Sequence, residues 1–280
     1  MTESSTTDPS TTLAASSDAP DVRGIANPER MRLRVRFTKS GKIRFISHRD
    51  LARLMERAFR KLGLPVAYTE GFSPRPKFSF GLALSVGHES EAEYLDVELA
   101  TKVDLDGLAA RLTAALPEGL SVTGFAIMQP GANSLQQAIA CCGWRIELLG
   151  APLDEARAAV ATVLAALELP LERERKGKTT VVNVRPAILE LEVMGPTDHG
   201  VELAAVLATM EISLRPSELV RVLGEARRNA DGLRADGAEA NEVTEGRVRR
   251  THQWTINDGQ RIEPISSSPL SMPHTTACAR

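Results

Sequence analysis

The sequence predicts an α+β fold made of two units of the split-βαβ (ferredoxin-like) type, with antiparallel sheets. Segments in which apolar and polar residues alternate, as in half-buried strands, are interleaved with segments of helical periodicity. Stretches poor in large apolar residues flank this periodic region and favour disorder. We therefore predict a disordered tail at residues 1–28, a basic half at 31–128, a second half at 141–228, and a disordered tail at 229–280.

The first predicted strand covers residues 32–37, where cations and apolar residues alternate strictly. Arg32, Arg34 and Arg36 point to one face, and their apolar neighbours point to the other. Like charges this close repel each other unless water or an anion screens them. The three arginines form either a solvated sheet face or a phosphate-facing row, and the sequence leaves both interpretations open.

A helix is predicted after a short extended piece at residues 43–46. Ser47 has the position of a helix N-cap, and Asp50 completes a capping box three residues later. Five apolar residues at helical spacing form the stripe that is expected to be buried: Leu51, Leu54, Met55, Ala58 and Leu62. Gly63 ends the helix.

A second stripe of this helix carries Arg49, Arg53 and Arg57, which recur every four residues. One interpretation is a solvated face with helix ion pairs, such as Glu56 with Arg60. The other is an anion-binding face. His48, just inside the helix start, is suited to anion donation, to acid–base chemistry, or to a local hydrogen bond.

The loop at residues 70–77 is the strongest site candidate in the sequence. Pro74 and Pro76 restrict its backbone, so that it presents Arg75 and Lys77 in few conformations. Positioned loops often carry function, although a rigid structural turn explains the same residues. Residues 78–85 then alternate bulky with small side chains, which leaves one face open to close approach.

The remaining elements follow from the same periodicities. We predict strands at residues 94–99, 119–128, 142–149, 171–175, 179–184, 188–194 and 201–207, and helices at 105–116, 153–167 and 217–227. Residues 130–135 are predicted to form a hinge between the halves. His88, in a polar loop, is predicted to face solvent.

Charge is distributed unevenly along the chain. Residues 31–80 contain nine arginines and four lysines against three carboxylates, whereas the whole chain has a net charge of -2. This asymmetry predicts a face for an anion. The ten candidate anion-binding or nucleic-acid-binding residues are Arg32, Arg34, Arg36, Lys42, Arg44, His48, Arg49, Arg53, Arg75 and Lys77.

Several kinds of chemistry have no motif in this sequence. There is no phosphate-binding Gly-Lys-Ser/Thr loop, no dinucleotide glycine motif and no serine nucleophile elbow. The neighbours Cys141 and Cys142 would point to opposite faces of a strand, so we predict buried apolar roles for them and no metal site. No cofactor is predicted. Without a signal peptide or a spanning segment, a cytoplasmic location is expected.

Three motifs of the first half are distinctive: Phe-Ile-Ser-His-Arg-Asp-Leu at residues 45–51, Arg-Lys-Leu-Gly-Leu-Pro at 60–65, and Tyr-Thr-Glu-Gly-Phe-Ser-Pro-Arg-Pro-Lys-Phe-Ser-Phe at 68–80. They resemble the radical SAM-linked protein family, a bacterial family of domains of unknown function. The resemblance covers roughly residues 31–228. It implies a radical SAM protein as partner, often one with a cobalamin-binding region, and proximity to a ribonuclease of the E/G type. It implies no particular reaction.

Three functions remain open on the sequence. The chain is expected to hold RNA, or another phosphate-rich substrate, for a separate radical SAM enzyme, because it lacks the cysteine triad of that enzyme class. The first alternative is an RNA-modifying enzyme that uses His48, Asp50 or Glu70. The second is a protein-binding adaptor without nucleic acid. No membrane association is expected.

Overall fold

The computed structural model describes residues 30–231 and 242–265, so the predicted tail at 1–28 lies outside the described residues. The strands are β1 (Met31–Lys39), β2 (Phe78–Phe80), β3 (Glu89–Leu99), β4 (Leu120–Met128), β5 (Ile139–Leu149), β6 (Pro170–Arg175), β7 (Lys178–Asn183), β8 (Ile188–Pro196), β9 (Gly200–Ala208), β10 (Thr244–Asn257) and β11 (Gln260–Ile262). The helices are α1 (His48–Lys61), α2 (Leu108–Ala115), α3 (Leu135–Ala138), α4 (Leu153–Ala165) and α5 (Pro216–Asp231).

One large sheet joins both halves of the chain. Its nine strands include the path β4-β1-β3-β10-β5-β9-β8, with β2 beside β3 and β11 beside β10, while β6 and β7 form a separate hairpin. Only the β3–β10 pair within this sheet is parallel. The predicted α+β class with antiparallel pairing is confirmed. The sheet is continuous, however, where the sequence predicted one sheet for each half.

The prediction of disorder at residues 229–280 was wrong for the segment that forms β10 and β11. β10 pairs with β3 on one side and with β5 on the other, so it closes the sheet between the two halves. Its inward-facing residues include Arg250 and Gln253, both buried. Polar residues at core positions hide the alternation that would have predicted a strand.

Two hydrophobic clusters build the core. In the first, Leu33, Val35 and Phe37 of β1 pack with residues of α1 and α2. In the second, Trp144 and Ile146 of β5 pack with residues of α4 and α5. Because strand residues alternate between faces, the odd-numbered residues of β5 around Arg145 lie on the side away from α4 and α5.

Candidate anion-binding surface

The chain turns sharply into α1. Residues 41–45 form a 3-10 helix where a short extended piece at residues 43–46 was predicted, and Gly41 takes a φ of 65° that suits glycine. Ser47 then caps α1 as predicted. Its hydroxyl accepts from the Asp50 amide at 3.2 Å and donates to the Asp50 carboxylate at 2.7 Å. This cap fixes where the cationic face of α1 begins.

Five exposed cations follow along α1, and we call them the arginine row: Arg49, Arg53, Arg57, Arg60 and Lys61. Within the described residues only Arg53 has an acidic partner, Asp50, at 3.4 Å. The Glu56–Arg60 ion pair considered from the sequence is not present there. Like charges four residues apart on a helix cost about 0.2–0.5 kcal/mol per pair. The row therefore weakens the helix slightly while it leaves four side chains available to an anion.

Residues 67–77 form a short hairpin, which we call the hairpin arm. The Thr69 amide donates to the Arg75 carbonyl at 2.8 Å, and the Lys77 amide donates to the Ala67 carbonyl at 2.9 Å. At its base the arm is hydrogen-bonded to the backbone of Glu98 on β3. The Glu98 carbonyl accepts from the Ala67 amide, and the Glu98 amide donates to the Lys77 carbonyl. The predicted stiff loop is thus the tip of a hairpin that is tied to the sheet.

The tip of the arm presents two kinds of side chain. Phe72 is fully exposed, and Tyr68 is 48% exposed. Arg75 is exposed and its backbone amide donates to the Thr69 hydroxyl at 2.9 Å, which orients the turn. Lys77 is less available, because its ammonium lies 2.8 Å from the Glu98 carboxylate.

The arginine row and the hairpin arm meet across a small cavity of about 160 Å³. Glu56 and Arg60 of α1 line one side of it, and Tyr68 and Pro76 of the arm line another. Below the cavity, Phe59 and Phe78 pack edge to face with ring centroids 5.3 Å apart. This contact ties the arm to α1, so aromatic and cationic groups share one surface.

Three candidates lie near the start of α1. Lys42 is exposed on the 3-10 helix. Arg44 is half-buried, with its guanidinium 3.2 Å from the Glu89 carboxylate and 4.6 Å from the centroid of the Phe45 ring. His48 is exposed and packs edge to face on Phe80 at 4.8 Å. This contact packs the imidazole against β2.

The arginines of β1 do not form an open row. Arg34 is 4% exposed and donates to both oxygens of Asp96, at 2.7 and 3.0 Å. Arg32 reaches the same carboxylate at 2.6 Å and donates to the Ala132 carbonyl. A chain segment next to α3 thus covers these cations, and they lie on the side of β1 that faces away from α1.

Arg36 is also buried. It donates to the Tyr94 hydroxyl at 3.3 Å and lies 3.5 Å from the Glu263 carboxylate. Burial raises the pKa of Tyr94, and the Glu263 charge adds to that effect, so the phenol stays protonated. The phosphate-facing row proposed for Arg32, Arg34 and Arg36 is therefore a set of internal ion pairs with acids distant in the sequence.

Of the predicted candidates, Lys42 lies exposed on the 3-10 helix, His48, Arg49 and Arg53 lie exposed on α1, and Arg75 lies exposed on the hairpin arm. Arg60 and Lys61 of the same surface were not among the residues predicted from the sequence. Lys61 lies four residues after Arg57 and Arg60 lies three residues after it, so helical spacing could have found both.

The described residues contain no group of three or more histidine, cysteine or acidic side chains that could hold a metal ion. Cys141 and Cys142 are both buried, and burial raises the pKa of the Cys142 thiol to about 12. Cys278 lies outside the described residues. In the same part of the chain, no helix combines the length and the apolar character needed to cross a membrane.

These features define an α+β protein with a mostly antiparallel sheet and an exposed cationic and aromatic surface. A family model described as "Uncharacterized protein conserved in bacteria (DUF2344)" matches residues 32–218, and the chain belongs to this family. The match supports the bacterial family seen in the motifs, and it carries no link to radical SAM enzymes. A comparison with curated proteins finds no match.

Proposed function

We propose that this chain is an accessory protein that holds RNA, or another phosphate-rich substrate, on the arginine row and the hairpin arm. One observation carries the proposal. Arg49, Arg57 and Arg75 are exposed without an acidic partner in the described residues, and Arg75 shares the hairpin arm with the exposed rings of Phe72 and Tyr68. Cations that neither stabilise the helix nor pair internally are available to neutralise phosphates.

The mixture of groups favours a single-stranded substrate. Unpaired bases can stack on aromatic side chains while neighbouring cations track the backbone. Phe72 projects from a tip that two backbone hydrogen bonds fix, so stacking on it would cost little ordering of the arm. A duplex keeps its bases stacked inside and would leave Phe72 without a partner.

The chemistry is assigned to a separate partner. The resemblance of residues 45–80 to the radical SAM-linked family implies a radical SAM protein, in some cases with a cobalamin-binding region. In this proposal the chain presents the substrate, and the partner performs the reaction in the cytoplasm. The arginine row would supply most of the affinity for the substrate, and the arm would fix the position of the bound bases along the surface.

A second candidate function is a protein-binding adaptor. Phe45 and Val86 are each 60% exposed, and the Gly87 amide donates to the Arg44 carbonyl at 2.9 Å, which places the two loops together. Exposed apolar groups near cations also suit an acidic protein surface with an apolar centre. This surface is separate from the tip of the arm, so variants can test the two functions independently.

Capture from native extract distinguishes these functions. We expect the wild-type chain to retain both RNA and a radical SAM protein, and Arg49→Glu with Arg75→Glu to lose only the RNA. Phe45→Ser with Val86→Ser should leave RNA capture unchanged. Recovery of the radical SAM protein without RNA would favour the adaptor, and RNA modification by the purified chain alone would favour an enzyme.

A further inference from the structure

The face of β5, β9 and β10 that points away from α4 and α5 carries a second polar surface. Arg145 pairs in register with Arg249 of β10, and Glu147 pairs with Glu202 of β9. With Arg247 and the turn between β8 and β9, these residues line a cavity of about 470 Å³. This volume lies within the range of about 300–1,000 Å³ that is typical of small-molecule sites.

One carboxylate of the cavity, that of Glu147, already accepts hydrogen bonds from other residues of the chain. Glu147 accepts from the Thr197 hydroxyl at 2.6 Å and from the Arg247 backbone amide at 3.1 Å. These two hydrogen bonds lower the pKa of Glu147. Glu147 therefore holds the wall of the cavity together and has little capacity left for a ligand.

Two guanidinium groups of the cavity, in contrast, form long ion pairs rather than close hydrogen-bonded ones. Arg247 comes no closer than 3.8 Å to the Glu89 carboxylate, and Arg145 lies 3.7 Å from Glu202. One terminal nitrogen of Arg145 is shielded from solvent and has no hydrogen-bond partner in the described residues. Arg249 is better satisfied, at 3.0 Å from Glu91. Planar guanidinium forks with free donors match the oxygens of a phosphate group.

A column of two rings lies on the same face of the sheet, over the β5 residue that precedes Arg145 on this face. Trp254 covers Gly143, where a Cβ atom would come within 2.9 Å of the indole. His252 stacks on Trp254 with centroids 4.8 Å apart and an interplanar angle of 5°. Gly143 and Arg145 are successive residues on one face of β5, about 6.6 Å apart along the strand. His252 pairs with Gly143 in the sheet, so the exposed His252 ring and the Arg145 guanidinium lie on neighbouring positions of one face. Their separation suits the base and the phosphate of a single nucleotide.

We propose that this face binds a mononucleotide, with its phosphate on Arg145 and Arg247 and its base stacked on the column of His252 and Trp254. The proposal does not depend on RNA binding at the arginine row. It assigns a role to a strand that lies beyond the residues matched by the family model. Stacking accepts any base, so the site would select for phosphate and a planar ring more than for one base.

Calorimetric titration of the whole chain at low ionic strength tests the site. The probes are AMP, ribose 5-phosphate and adenosine. We expect AMP to bind more tightly than either fragment. Arg247→Ala keeps the backbone amide that holds Glu147, and it should weaken both phosphate esters by about tenfold or more. His252→Ala should weaken AMP and leave ribose 5-phosphate unchanged.

Arg111→Ala on α2 is the matched control, because it removes an exposed arginine far from this face. Equal binding of AMP to the wild type and to Arg247→Ala would overturn the proposal, as would AMP that binds no better than adenosine.

A 5′-phosphorylated dinucleotide distinguishes two possible ligands, the 5′ end of an RNA and a free mononucleotide. Tighter binding than AMP would identify an RNA end, and weaker binding would identify a free mononucleotide. Loss of RNA binding by Arg49→Glu with AMP binding intact would show that the surfaces are independent.

Discussion

The guanidinium of Arg34 forms two hydrogen bonds with the carboxylate of Asp96 inside the protein, at 2.7 and 3.0 Å. Both side chains are at most 5% exposed. The same carboxylate also accepts a hydrogen bond from the Arg32 guanidinium, at 2.6 Å. One carboxylate thus pairs with two cations of β1, and the charge that the sequence suggested for a phosphate is used to join β1 to β3.

Asp96→Ala should therefore destabilise the fold strongly. It leaves Arg34 buried without a counter-charge, and breaking a buried pair in this way costs about 3–5 kcal/mol. Urea unfolding followed by circular dichroism measures the change. The exposed pair Asp50–Arg53 supplies the control, since Asp50→Asn should cost far less once the cap is allowed for. A loss below about 1 kcal/mol for Asp96→Ala would contradict the buried pair.

Acidification should remove part of the stability through Glu89. Burial alone would raise the pKa of Glu89, but the Gly41 amide and the guanidinium groups of Arg247, Arg44 and Arg249 outweigh it, and the pKa lies below its ordinary value of 4.5. The unfolded chain then binds the proton more readily than the folded chain. The stabilisation by Glu89 is complete above about pH 4.5 and is lost as the pH falls through the folded-state pKa.

The measurement is the unfolding free energy of the wild type and of Glu89→Gln between about pH 3 and pH 7, where the two curves should converge at the acid end. Glu91→Gln is the matched control on the same strand, because that side chain is 52% exposed and its one ion pair among the described residues is with Arg249. A constant difference between wild type and Glu89→Gln across this range would contradict the prediction.

β10 should be as important to stability as the strands predicted from the sequence. Val248 is buried in the second core cluster, whereas Ile256 on the same strand is 50% exposed. Val248→Asp places an unpaired carboxylate in the core and should cost roughly 3 kcal/mol or more. Ile256→Asp should be nearly neutral. Equal thermal stability of the two variants would mean that the strand does not pack as described.

Phe72 should contribute to RNA binding without contributing to the fold. Its ring is fully exposed at the tip of the hairpin arm, so Phe72→Ala removes no packing. We expect unchanged thermal unfolding and weaker binding of a single-stranded oligonucleotide, with the same dependence on salt. Ile127→Ala is the control, because Ile127 is a large exposed apolar residue on β4. If Phe72→Ala and Ile127→Ala change RNA binding equally, Phe72 does not stack on a base.

Local patterns predicted much of the fold, and distant partners explain most of what was missed. The alternation at residues 32–37 and the cap at Ser47 each depend on near neighbours, and both predictions are confirmed. Arg34, however, finds its acid 62 residues away. His88 was predicted to face solvent, yet it is buried beside Glu245, 157 residues away. No spacing rule relates such pairs, because the fold itself brings them together.

The candidate surface shows the same division. The recurrence of Arg49, Arg53 and Arg57 is a property of one helix and could be predicted directly from the sequence. That Arg49 and Arg57 have no acidic partner among the described residues depends on what packs nearby, and only the structure shows it. The second polar surface was missed because β10 carries polar residues on both of its faces, such as Arg249 and Arg250. A strand of this kind has no apolar period to detect.

The most direct test of the proposed function is the salt dependence of RNA binding by the purified chain. Fluorescence anisotropy of a labelled single-stranded RNA should give a linear plot of log K against log salt concentration. Each neutralised phosphate contributes a slope of about -0.7 for single strands. Arg49→Gln, Arg57→Gln and Arg75→Gln together should flatten the slope by about 2. The matched control replaces Arg111, Arg157 and Lys178 with Gln and should leave it unchanged. If both triple variants bind with the wild-type slope, the arginine row and the hairpin arm do not hold RNA.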